Sequence, residues 1–177
     1  MTKISVVISA YNEEAMIEDC LKSVKTLADE IIFVDNTSSD KTVDIAKKYT
    51  PQGFIRENDP DMLNKNKNFG FTKATGDWII SLDADERLTP ELIREIRSTI
   101  NNERSTINGY QIPRKNIIFG KWMQQSQWWP DLNVRFFRKG KVKWGDKIHR
   151  PPEASGLGLD LPAEERGAIV HHNYQSI

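Results

Sequence analysis

Up to Asn108 the chain alternates between short apolar runs and amphipathic stretches. "ISVVISA" (4–10), "IIFVD" (31–35) and "DWIISLD" (77–83) are near-continuous apolar runs of strand length, and "GFIRE" (53–57) is a weaker one. Such runs predict strands buried on both faces of a sheet. Between them, "EEAMIEDCLKSVKTL" (13–27) sets Ile17, Leu21 and Val24 at helical spacing. "KTVDIAKKY" (41–49) predicts a short helix capped by Ser38, Ser39 or Asp40. "MLNKNKNFGFTKAT" (62–75) reads as a helix despite Gly70. "ELIREIRSTI" (91–100), opened by Thr89 and Pro90, puts Leu92, Ile93, Ile96 and Ile100 on one face. Strands alternating with helices predict an α/β fold, a mostly parallel sheet with right-handed crossovers.

After Asn108 the pattern changes. "GYQIPRKNIIFG" (109–120), "NVRFFRKGKVKW" (133–144) and "AIVHHNYQ" (168–175) predict strands and turns, with a hairpin around Lys139-Gly140. A βαβ half is therefore followed by a β-rich half. The expected organisation is a single domain over 1–177, because residues 1–108 alone would leave one side of the sheet unfinished.

Composition adds little at first. The 177 residues are 38% hydrophobic and 28% charged with a net charge of +0, so bulk charge names no partner. The single cysteine, Cys20, excludes a disulfide framework within the chain and fits a reducing compartment. Beside the apolar stripe of its helix it reads as a packed, inert residue. "MTKISVVISAYNEE" does not read as a signal peptide, and no apolar run is long enough to cross a membrane. A cytoplasmic location is expected, at the inner face of the membrane if the chain attaches there. The charge is uneven, however. From Arg114 to Arg150 there are ten Lys or Arg against two acids, with Trp122, Trp128, Trp129 and Trp144 among them. This segment suits an anionic or lipid-linked acceptor, an anionic membrane surface or a solvated face over core tryptophans. Nucleic acid is disfavoured, since no known binding module is present.

Candidate chemistry lies at the strand ends. In an open parallel sheet, ligands bind at the carboxyl ends of the strands. The first run ends in Tyr11-Asn12-Glu13, the second in Asp35-Asn36-Thr37, the fourth in Asp83-Ala84-Asp85. If the fourth strand continues to Asp85, both acids leave it on the same side. Two oxygen ligands with an otherwise open coordination sphere suit Mg²⁺ or Mn²⁺ bridging to a diphosphate. The plainer alternative is a solvated turn with Asp85 and Glu86 exposed. A calcium loop starting at Asp83 fails, because its sixth and twelfth positions are Leu88 and Arg94. Asp35 can accept from a base or a ribose hydroxyl, or cap the next helix. Lys65 and Lys67 can reach a diphosphate or stay on a solvated helix face.

"ISVVISAYNEEAMIEDCLKSV", "EIIFVDNTSSDKTVDIAKKY" and "NKNKNFGFTKATGDWIISLDADERL" together resemble glycosyltransferase family 2. The resemblance implies a GT-A-like, Rossmann-type sheet, a nucleotide-diphosphate sugar donor and inversion at the anomeric centre. By that resemblance Ala10, Tyr11 and Glu13 contact the nucleotide, Asp35 binds the base, Lys67 occupies the basic position and Asp83 is the nucleotide-side acid. Asp85 is the metal ligand for Mg²⁺ or Mn²⁺, and residues 1–108 form the nucleotide-binding half. "GYQIPRK", "WWPDLNVRFFRKGKVKW", "IHR" and "VHHNYQSI" are similar to a branch with lipopolysaccharide-core glucosyltransferases, which implies a cell-envelope glycan or lipid-linked acceptor.

An inverting transfer needs a base for the acceptor hydroxyl. The family's frequent Glu-Asp pair is absent from the second half. Asp131, among aromatic residues, is the first candidate and Glu153 the second, and Asp131 can equally be a turn residue after Pro130. His149 is a further candidate for the metal or diphosphate, while His171 and His172 read as structural. The Q-x-x-R-W element of processive synthases is absent, which points to transfer of one sugar. The resembling branch continues beyond "HHNYQSI" with more helix, so a truncated or minimal form is expected. Two competing functions stay open. One is a nucleotide-sugar-binding protein without turnover. The other is a sugar nucleotidyltransferase, whose glycine-rich first loop is replaced here by "SAYNEE".

Overall fold

The computed structural model describes residues 2–58, 63–101, 106–145, 152–154, 156–157 and 167–173. His149 lies outside them. The first half runs β1 (Ile4–Ala10), α1 (Ile17–Val24), β2 (Glu30–Asp35), α2 (Thr42–Ala46), β3 (Gly53–Ile55), α3 (Leu63–Lys73), β4 (Trp78–Asp83), β5 (Glu86–Arg87) and α4 (Pro90–Asn101). The second half runs β6 (Gly109–Ile118), β7 (Lys121–Trp122), β8 (Asp131–Arg138), β9 (Val142–Lys143), β10 (Glu153–Ala154) and β11 (Ile169–Asn173).

One sheet unites the two halves. Its order is β3-β2-β1-β4-β8-β6-β11-β5, with β7 pairing β6. Strands β3, β2, β1 and β4 are mutually parallel, and β8 joins β4 antiparallel. Every residue of β1 is buried, Ser5 and Ser9 included, as its near-continuous apolar run predicts. On one face α1 buries Ile17, Cys20, Leu21 and Val24, and α4 buries Leu92 and Ile96. Across the join, Trp78 of β4 stacks on Phe136 of β8 at 4.4 Å between ring centres, and both are wholly buried. Each such side chain contributes about 1.5–3 kcal/mol by leaving water.

On the other face α3 lies close to the sheet, and Gly70 makes this possible. A Cβ at residue 70 would stand 2.5 Å from Val7 Cγ1 and 3.0 Å from Val34 Cγ2. The glycine that weakens the helix in isolation is thus required by its packing.

The fourth strand ends at Asp83, where its apolar run predicts. It does not continue to Asp85, because Ala84 and Asp85 form a turn, so the two acids do not leave one strand on the same side. The alternative of an exposed Glu86 is excluded, since Glu86 is fully buried. The turn at Lys139-Gly140 closes, with the Lys141 amide donating to the Arg138 carbonyl at 3.1 Å. No β8–β9 hairpin follows among the described residues, because β9 pairs β10 in a separate ribbon.

Candidate active site

The parallel register brings three strand ends to one edge, with Ala10 opposite Asp35 and Ser9 opposite Asp83. Beyond β1 the chain turns through Asn12, whose φ of 53° lies in the left-handed region that asparagine tolerates. The loops after β1 and β2 are tied together. The amides of Asn12, Glu13 and Glu14 donate to Ser38 Oγ, Thr42 Oγ1 and Asp40 Oδ2 at 2.8, 2.7 and 3.0 Å. The amides of Ser39 and Lys41 return bonds to Asn12 Oδ1 and Glu14 Oε2 at 2.8 and 3.0 Å. None of the expected caps holds the capping position, which Lys41 occupies without a side-chain bond; Asp40, one residue earlier, accepts from the Thr42 amide at 2.9 Å.

A cavity of about 320 Å³ opens at this edge. Ala10, Tyr11, Glu13, Lys67, Asp83 and Asp85 all line it, together with Ser9, Asn36, Asn64 and His171. Tyr11 is 47% exposed and offers a ring face. Burial first, and then the charge of Asp85, push the Glu13 carboxyl up to about 7. Asp35 sits beside a smaller apolar cavity of about 180 Å³, walled by Phe33, Val43, Ala46 and Phe54. It is 1% exposed, and its Oδ2 accepts from the Ser38 amide at 2.8 Å. Its Oδ1 is buried with no partner among the described residues. A buried acceptor left open in this way is costly unless a ligand supplies the donor.

Asp83 is surrounded by cations. Lys67 Nζ lies 2.6 Å from Oδ1 and Arg135 Nη2 lies 2.8 Å from Oδ2. Burial alone would raise this carboxyl, but Lys67 and Arg135 outweigh it and hold it well below the usual carboxylate range. Arg135 also contacts Glu86 at 2.7 Å, and Arg114 reaches Glu86 at 3.5 Å and Asp131 at 2.7 Å. Lys65 stays exposed.

Asp85 has different company. His171 Nε2 lies 3.1 Å from Asp85 Oδ2, and His171 Nδ1 lies 2.6 Å from Asn116 Oδ1. Asn116 Nδ2 in turn donates to Asp131 Oδ2 at 3.1 Å. Among the described residues no cluster of three or more His, Cys, Asp or Glu is arranged to hold a metal. Two ligands do fit one. Adjacent ligands at about 2.0–2.1 Å from an octahedral ion stand about 3 Å apart, and Mg²⁺ leaves its other positions to water and phosphate. His171 thus joins the site that Asp85 opens.

Asp131 begins β8 instead of sitting in a turn. Oδ2 accepts from Arg114 and Asn116, and Oδ1 accepts from Asn133 at 2.9 Å. Burial would raise its carboxyl, but the hydrogen bond from Asn116 and the charge of Arg114 bring it down. Glu153 is exposed on the β9–β10 ribbon, opposite Lys143.

The sequence model of glycosyl transferase family 2 matches residues 5–157. The chain belongs to this family. An uncharacterized glycosyltransferase of Rickettsia typhi is 34% identical over 153 residues, 84% of this chain and 51% of the relative. The lipopolysaccharide core biosynthesis glycosyltransferase LpsC of Rhizobium meliloti is 28% identical over 174 residues, 95% of this chain and 62% of LpsC. The chain thus spans about half the length of its R. typhi relative. Among solved structures, S. aureus TarS 1–349 in complex with UDP-GlcNAc superposes with a TM-score of 0.71 at 18% identity, over 99% of this chain and 60% of TarS. Glucosyl-3-phosphoglycerate synthase of Mycobacterium tuberculosis, in complex with Mg²⁺ and UDP, gives 0.52 at 24% identity over 65% of this chain and 43% of its own. The family's GT-A fold accommodates the mixed sheet order and the β-rich second half.

Sequence reasoning missed Glu86, Arg114, Asn116, Arg135 and His171. One signal was available. An arginine inside the apolar strand "NVRFF" must find a buried partner, and a carboxylate is the natural one.

Proposed function

We propose that this member of family 2 transfers a single sugar, with inversion, from a nucleotide-diphosphate sugar to a cell-envelope glycan or lipid-linked acceptor. The observation that carries this reading is the convergence of Tyr11, Glu13, Lys67, Asp83, Asp85 and His171 on one cavity, beside Asp35 with its open, buried oxygen. The bound UDP-GlcNAc of TarS and the role of LpsC in lipopolysaccharide core synthesis support the donor and acceptor classes.

In this reading Asp35 Oδ1 accepts from the base, Tyr11 offers its ring, and Asp83, with Lys67, holds the nucleotide side. Asp85 and His171 hold Mg²⁺ or Mn²⁺, as the Mg²⁺ and UDP complex of the mycobacterial synthase supports. The cation supplies charge neutralisation for the departing diphosphate. Asp131 is the base. Arg114 and Asn116 occupy Oδ2 and keep the carboxylate ionised, while Oδ1, with Asn133 as its one partner among the described residues, has a lone pair for the acceptor hydroxyl. That hydroxyl oxygen bonds to the anomeric carbon, its proton passes to Asp131, and the bond to the diphosphate oxygen breaks with its electron pair. No helix of the described residues is long and apolar enough to cross a membrane. The proposed location is the cytoplasm, at the inner face of the membrane, with the basic, Trp-rich segment toward the acceptor.

The test is release of nucleoside diphosphate from UDP-sugars with Mn²⁺ and with chelator. Metal-dependent release is expected, and Asp131→Asn should lower turnover by about 10²–10⁴-fold with donor affinity retained. An active Asp131→Asn beside a crippled Glu153→Gln moves the base to Glu153. Donor binding without any turnover would leave only a binding protein.

A further inference from the structure

Asn116 is wholly buried on β6, directly opposite His171 of β11 in the parallel register. Its side chain bridges the base candidate and the metal candidate. The two ends of an amide are chemically different, and here the surroundings decide which faces which way. Asp131 Oδ2 lies 3.1 Å from one terminal atom, and the Trp128 carbonyl lies 3.4 Å from the same atom. Both neighbours only accept, because Arg114 keeps Asp131 ionised. The amide NH₂ must therefore face them, and Oδ1 must face the imidazole. His171 Nδ1, 2.6 Å from Oδ1, must then carry a proton.

Resting on the reading of His171 as a cation ligand, we infer that Asn116 is a positioning residue that fixes the Nδ1–H tautomer of His171. The consequence is at Nε2. In the neutral ring this nitrogen holds a lone pair, and it faces the Asp85 carboxylate at 3.1 Å. A lone pair opposite a carboxylate repels it unless a cation lies between them, a proton at acid pH or a metal ion where the ring is neutral. The relay Asp131–Asn116–His171 thus presents a ligand pair with an unmet need for positive charge. With the opposite tautomer, Nε2–H would donate to Asp85 and close the position. A hydrogen bond at the second ring nitrogen is a common way of fixing a metal-binding histidine.

The experiment has two readouts that need no turnover. The first is the ring ¹⁵N spectrum of metal-free wild-type protein at a pH where imidazole is neutral. A protonated Nδ1 with an unprotonated Nε2 at His171 is expected, and a ring protonated at Nε2 overturns the inference. This measurement does not depend on any variant folding. The second is calorimetric titration with Mn²⁺. Asn116→Ala should bind Mn²⁺ about 10–100-fold more weakly than wild type, with its ring shifted to Nε2–H. Wild-type affinity in a folded Asn116→Ala overturns the role of Asn116. Failure of wild type to bind Mn²⁺ would instead overturn the metal reading itself, and the ¹⁵N spectrum would still decide the tautomer.

Discussion

The end of β4 and the turn that follows it carry the two acids of one short motif, yet they are opposite environments. At Asp83 the protein supplies the positive charge itself, through Lys67 and the buried Arg135. At Asp85 the described residues supply an imidazole nitrogen, with Asn116 behind it. Spacing two acids one residue apart therefore does not make them equivalent. The strand stops between them, so Asp83 ends β4 within the charge network and Asp85 sits in the turn facing His171, and both line the same cavity. One acid is neutralised by the protein's own cations, and the other is the one proposed to meet a cation from outside.

Removing Asp85 tests this contrast most strongly. Asp85→Ala should lower transfer by about 10³-fold or more, since a bound cation supplies several kcal/mol to the departing charge. The circular dichroism melt should stay close to wild type, because the side chain of Asp85 lies outside the core. Ordinary turnover in the folded variant would end its metal role. On the Asp83 side the damage should appear in stability. Arg135→Leu leaves Glu86, at 0% exposure, without its nearest cation. Breaking a buried pair in this way costs about 3–5 kcal/mol, readable from urea unfolding. A loss under about 1 kcal/mol would show that Arg114 suffices for Glu86.

The smallest expected effect is at Glu13, which sits between the two environments. Its folded pKa, about 7, lies above the ordinary 4.5. Folding therefore binds protons in that window. The contribution to stability is fully present below about 4.5 and is lost as pH rises through about 7. In metal-free protein at pH 8, Glu13→Gln should raise Tm by about 2–4 °C, the response of a domain this size to 1 kcal/mol. The gain should vanish near pH 4.5, where wild type is itself largely protonated. An equal gain at both pH values would tie the effect to something other than charge.

The residues proposed for the donor side were legible because the signals that reveal them are local. An apolar run followed at once by Asp35 or Asp83 is visible within a few positions, and a shared edge follows from strands being parallel. Lys67 reads the same way, one helix before β4. The other side is built from distant partners. Arg135 meets Glu86 across 49 positions, His171 meets Asn116 across 55 and Asp85 across 86. No periodicity announces such meetings, since they depend on β6 lying between β8 and β11. For the same reason "VHHNYQSI" suggested two structural histidines. His171 turns toward Asp85, while burial and then the charge of Arg87 lower the pKa of His172.

Six hydrogen bonds tie residues 12–14 to residues 38–42, five of them from backbone amides, and join the loops after β1 and β2 into one rim. Ordering a loop residue costs about 1–2 kcal/mol of conformational entropy. Here that ordering is completed when the chain folds, so the nucleotide of the proposed donor would meet a rim already in shape. Its contact energy can go into affinity instead of into freezing the loops. The donor side should then behave as a rigid receptor, with association governed by diffusion and charge and little of it spent waiting for a rare conformer.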